Sequence, residues 1–102
     1  MIVTLYDTPP ALRPAPVVEL NRAIAVSQRD GAERGLAEIE AIEDVDRLVE
    51  YPFYFAALGE LELRLGRGDA AREHYASAGA RARNAMERRF FERRALEIRG
   101  QD

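Results

Sequence analysis

Between Pro52 and Ala82 the chain reads PFYFAALGELELRLGRGDAAREHYASAGARA. Pro52 suits the first turn of a helix, where its missing N–H falls among donors that lack an intrahelical partner anyway. Phe55, Leu58, Gly59, Leu61 and Leu65 then recur at helical spacing. Gly66-Arg67-Gly68 ends that helix. Asp69 is a suitable cap for a second helix over 70–82, with Ala71, Tyr75, Ala78 and Ala82 on its inward face. The pair is an antiparallel hairpin built small against large. Gly59 and Ala71 let the two helices approach closely, and Phe55 and Tyr75 fill the groove beside them.

The order Phe55-x2-Leu58-Gly59 followed by Ala71-x3-Tyr75 matches the tetratricopeptide repeat pattern, except that Glu62 stands where that pattern has Tyr and Arg83 where it has Pro. A fainter copy lies 36 residues earlier, with Ala23, Gly35 and Ile39 preceding Gly59, Ala71 and Tyr75. Its first helix is expected over 16–29, with Pro16 at the first position and Ala15 as a poor cap. Val17, Val18, Leu20, Ala23, Ile24, Ala25 and Val26 cover most of its wheel, so it should be central and largely buried. Asn21 falls on the face of Val17 and Ile24 and reads as a satisfied buried polar group. Asp30-Gly31 breaks the helix, and spacing resumes over 32–43, with Leu36, Ile39 and Ile42 inward and glutamates outward. Residues 44–51 form a connector that holds Val45 and Leu48 and has room for one short turn of helix. Asn84-Ala85-Met86-Glu87 resembles a capping box that opens a last helix, with Met86, Phe90, Phe91, Ala95 and Ile98 on its apolar stripe. A short leading helix over 1–12 should stop near Thr8, ahead of Pro9-Pro10. The expected fold is all-α. Hairpins 16–43 and 52–82 stack as a TPR-like right-handed solenoid, and 84–99 is a capping helix whose polar face is supplied by Arg88, Arg89, Arg93 and Arg94.

The chain's 102 residues are enough for one domain with an ordinary core. With 47% hydrophobic and 32% charged residues it reads as a soluble globular protein, expected in the cytoplasm. No signal peptide or membrane-length apolar run is visible. All 15 basic residues are arginine. Residues 1–62 carry a net charge of −7 and residues 63–102 one of +4. Two solvated helix faces account for that polarity, and so does a basic end that docks on an acidic partner or nucleic acid. Arg88–Glu92 and Arg93–Glu97 are spaced for i,i+4 ion pairs.

The inventory argues against an enzyme. There is no cysteine and a single histidine, His74, which flanks the Ala71–Tyr75 face as a boundary residue. Glu38 and Glu40, like Glu60 and Glu62, are two residues apart and point away from each other on a helix. Gly66-x-Gly68 follows a helix, not the strand that a phosphate loop needs. No cofactor, metal or catalytic residue is expected.

Across nearly its whole length the chain resembles the C-terminal extension of a subgroup of extracytoplasmic-function (ECF) RNA polymerase sigma factors that carry a tetratricopeptide-like domain. The resemblance rests on Leu5-Tyr6-Asp7, on Pro14-Ala15-Pro16-Val17-Val18-x-Leu20-Asn21-Arg22-Ala23-Ile24-Ala25-Val26, and on Asp30-Gly31-x3-Gly35-Leu36. It continues through Leu65-Gly66-Arg67, Ala70-Ala71-Arg72-x2-Tyr75 and Asn84-x2-Glu87-Arg88-Arg89-Phe90-x-Glu92-Arg93-Arg94. Thr8-Pro9-Pro10, Ala15 and the Pro-free Gly31-Ala32-Glu33 depart from that pattern. The resemblance implies a fragment of a longer transcription initiation factor, with a regulatory role exerted through contacts with sigma regions, polymerase core or a regulatory protein. DNA would be touched only by the sigma regions, which lie outside this sequence. The alternative is a free-standing TPR-like adaptor for a peptide or protein. A third reading is direct nucleic-acid binding through Arg81–Arg99. Any docking groove should draw on the first helix of each hairpin, chiefly Asn21, Arg22 and Glu62.

Overall fold

Two prolines start two hairpins. Pro16 opens α1 (Pro16–Asp30) and Pro52 opens α3 (Pro52–Arg64); both rings are buried. Each helix is followed by a tight turn and an antiparallel partner, α2 (Ala32–Glu40) and α4 (Gly68–Ala80). The turns hold Gly31 at φ 102° and Gly66 at φ 78°, a left-handed backbone that a Cβ would strain. A 3-10 turn, Val45–Arg47, lies between the hairpins, and α5 (Ala85–Glu97) follows them. The structure is a computed structural model and describes residues 15–98; the expected leading helix over 1–12 lies outside them. All regular structure among the described residues is helical. The two hairpins start 36 residues apart in both helices, Pro16 against Pro52 and Ala32 against Gly68, which is the offset of the faint sequence repeat.

The packing follows the small-against-large reading. A Cβ on Gly59 would stand 2.8 Å from the Tyr75 ring and 3.2 Å from the Ala71 carbonyl oxygen, so α3 and α4 touch backbone to side chain there. In the first hairpin a Cβ on Gly35 would overlap Ser27 Cβ, and Leu61 Cδ1 of α3 would lie 3.2 Å from it. Gly35 is thus the point where α1, α2 and α3 meet. Two apolar clusters result. Leu20, Ala23, Leu36, Ile39, Ile42, Leu48 and Leu61 form the first. Ala71, Tyr75, Ala78, Phe91 and Ile98 form the second, with Phe55, Ala56 and Leu63 packed against it. Because Leu61 faces one cluster while Phe55 and Leu63 face the other, α3 ties the hairpins together.

Several expectations need correction. Among the described residues α1 is not central: it packs on α2 and only lightly on α3. One stripe is therefore enough to bury it: Leu20, Ala23 and Ser27 are inside, while Val17, Val18 and Ala25 are exposed. Asn21 is exposed as well, since it sits beside that stripe and not within it. α5 also packs on one side, against α4, so Phe91 and Ile98 are buried but Met86 and Phe90 face solvent. Asp69 does not cap α4. The helix begins at Gly68, two residues before the expected start at 70, and Asp69 sits in its first turn beside Arg72. α2 ends at Glu40 rather than 43, although Ile42 beyond it still reaches the core. Half of the capping box forms as expected, Glu87 N donating to Asn84 Oδ1 at 2.9 Å. The Glu87 carboxylate closes one residue early, on Arg83 N at 3.0 Å, because the Arg83 side chain holds it there.

Candidate functional site

The first helices of the two hairpins lie side by side, and the lightness of the α1–α3 contact leaves a groove of about 490 Å³ between them. Its α1 wall is Asn21, Ile24 and Gln28; its α3 wall includes Phe53, Ala57, Glu60 and Arg64. The 36-residue offset makes these walls equivalent, Asn21 to Ala57, Ile24 to Glu60 and Gln28 to Arg64. Steps of three and four residues put each set on one helical face. The floor is apolar, built from Ile24, Ala56, Ala57 and buried Leu61, with Ser27 below it donating its Oγ to the Ile24 carbonyl at 2.6 Å. Tyr51 and Phe53 close one end as a tilted aromatic pair with ring centres 5.6 Å apart.

Glu60 anchors the groove to the rest of the molecule. Its Oε2 accepts from the Tyr75 hydroxyl at 2.8 Å and from Arg94 Nη2 at 3.0 Å, so α3, α4 and α5 share one polar junction. Burial alone would raise the Glu60 carboxyl, but the Tyr75 and Arg94 hydrogen bonds outweigh it and hold the group below its ordinary range. Tyr75 is pushed up to about 12, first by burial and then by its bond to Glu60. Arg94 is held still more firmly in its charged form by the bonds to Glu60 and Tyr75.

The sequence-derived candidates are spread over three surfaces. Asn21 lies on the groove rim. Arg22, next to it and exposed, does not line the groove. Glu62 points the opposite way along α3, into a second depression with Glu33, Tyr54 and His74, where it pairs with Arg67 at 3.4 Å. Arg88 borders a third depression between α4 and α5, and Arg89 and Arg93 stand exposed on α5. The expected Arg88–Glu92 and Arg93–Glu97 pairs do not form among the described residues; Glu97 pairs instead with Arg94 at 3.6 Å. His74 is half-buried and stacks on Phe55, as its boundary position suggested. Glu60 and Arg94 were missed as a pair. They are 34 residues apart, and only their placement on the adjacent faces of α3 and α5 brings them together.

Among the described residues, no cluster of three His, Cys, Asp or Glu stands close enough to hold a metal ion, and no helix is long and apolar enough to cross a membrane. The groove chemistry suits recognition. Two carboxamides that both donate and accept flank an apolar floor, with a cation at one end and aromatic rings at the other.

Over 87 residues, which are 85% of this chain, the sequence is 43% identical to an uncharacterized protein of Rhizobium meliloti (strain 1021). Those residues span 20% of that protein's length. No protein-family model and no solved structure matches the chain.

Proposed function

We propose that this chain is a TPR-like, regulatory protein-interaction domain of an ECF-type sigma factor. In this role it contributes to control of transcription initiation in the cytoplasm, by holding a segment of the sigma regions, the polymerase core or a regulator. The observation that carries the reading is the groove between the first helices of two hairpins offset by 36 residues, apolar at its floor and edged by Asn21, Gln28 and Arg64. An extended peptide fits such a site, since its main chain satisfies the two carboxamides while a side chain covers Ile24 and Ala57. The motifs shared with the sigma-factor extension supply the transcriptional context. The 20% share of the Rhizobium relative fits a module within a longer polypeptide.

The test is promoter-directed transcription by the full-length factor after deletion of these 102 residues. A several-fold change in transcript yield is expected, together with loss of partner binding. Unchanged yield with unchanged partner binding would contradict the proposal. A free-standing adaptor would instead bind its partner through the groove with no effect on transcription.

A further inference from the structure

The outer side of α5 carries chemistry that the groove does not use. Met86, Arg89, Arg93 and Leu96 follow one another at steps of three and four residues, so they form one stripe about 15 Å long. Met86 is 75% exposed and Leu96 70%, and the two arginines lie between them. Arg83 and Arg94, by contrast, are held by carboxylates of this same chain. Among the described residues Arg88, Arg89 and Arg93 make no ion pair. Beside the stripe runs the depression between α4 and α5, about 670 Å³, whose α4 wall is the small residues Ala76, Gly79 and Ala80. Small residues of this kind let a neighbouring helix approach closely.

We infer that the outer face of α5 docks an acidic amphipathic helix of a partner protein, with carboxylates against Arg89 and Arg93 and apolar side chains over Met86 and Leu96. Charge complementarity sets the sign of the partner, and the apolar ends of the stripe set its amphipathic character. Nucleic acid is the weaker fit, because phosphates would satisfy the arginines but leave Met86 and Leu96 in water. A second copy of this chain is also a poor fit. Its acid-rich segment, residues 33–50, presents no exposed large hydrophobic side chain to match the apolar ends.

The experiment uses the 102-residue chain and a fluorescent helical peptide with two leucines ten residues apart and two glutamates between them, read by anisotropy. Binding is expected, and it should weaken as salt rises from about 50 mM to about 300 mM. Arg89→Glu with Arg93→Glu should reduce affinity about tenfold or more. Leu96→Glu should reduce it several-fold, and Asn21→Ala should leave it unchanged. The substituted side chains are all exposed, so thermal melts of the variants should superimpose on that of the parent chain. Three results would overturn the inference: no binding, equal binding of a scrambled peptide of the same composition, or affinity indifferent to Leu96→Glu. Displacement of the peptide by a short DNA duplex at lower concentration than unlabelled peptide would assign the face to nucleic acid instead.

Discussion

Gly59 and Gly79 are both helical glycines, yet their surroundings predict opposite consequences of adding a methyl group. At Gly59 the new Cβ would meet the Tyr75 ring at 2.8 Å and the Ala71 carbonyl at 3.2 Å. Gly59→Ala should destabilise the protein by about 1–3 kcal/mol despite its better helix propensity, because α3 and α4 must part. At Gly79 the nearest atoms are at 3.7 and 3.8 Å, which is ordinary contact. Gly79→Ala should therefore be neutral or stabilising, by up to about 1 kcal/mol. Urea denaturation of both variants checks the contrast. The Tyr75–Glu60–Arg94 junction makes a second prediction. Tyr75 is raised above its ordinary value of 10.0, to about 12, so its contribution is intact below about pH 10 and is lost as pH climbs toward about 12. Glu60 is lowered, so its contribution is present above the ordinary carboxyl value and disappears as pH falls through the depressed one. Stability should fall more steeply from pH 10 to pH 12 in the parent chain than in Tyr75→Phe, as chemical denaturation across that range would read. The Gly59–Ala71–Tyr75 contact was legible in the sequence because all three residues belong to one hairpin with a short turn. The junction was not, because the position of Arg94 depends on how α5 seats against α3.

The starts of α1 and α3 followed from Pro16 and Pro52 and the two turns from their glycines, whereas α2 stops three residues short of the expected end and α4 begins two residues before the expected start. Exposure did not follow from local signals, because it depends on how many neighbours an element has. α1 and α5 read as broadly apolar, but each buries one stripe, leaving Val18, Met86 and Phe90 in water. Capping separates two acceptors that look alike in sequence. Asn84 accepts a backbone N–H, so Asn84→Ala should cost about 1 kcal/mol. Asp69 accepts none and should cost about half that or less when replaced by Ala, the residue of its first-turn charge effect and its exposed pair with Arg72. The connector between the hairpins is a third case. It reads as a connector that holds Val45 and Leu48, and Leu48 is fully buried in the first cluster. Leu48→Ala should cost about 2–5 kcal/mol, as for a core leucine. Thermal melts of the three variants would test this ranking.

At the level of the whole molecule, two apolar clusters joined through α3 give a body with principal extents of 45 × 28 × 17 Å. Charge is divided along the sequence, acids in the first hairpin and its connector, arginines toward α5. The α1–α3 groove and the outer face of α5 are separate surfaces, so the two proposed contacts can be broken independently. The groove is proposed to hold a protein segment that governs transcription. The most direct test is promoter-directed transcription by the full-length factor carrying Asn21→Arg with Gln28→Arg. Both side chains are exposed on the groove rim, so the fold and its melting should be unchanged. A several-fold change in transcript yield is expected, in the same direction as deletion of the domain. Parental yield from the rim variant would contradict the groove's role, and parental yield from the deletion as well would contradict any role of the domain in transcription.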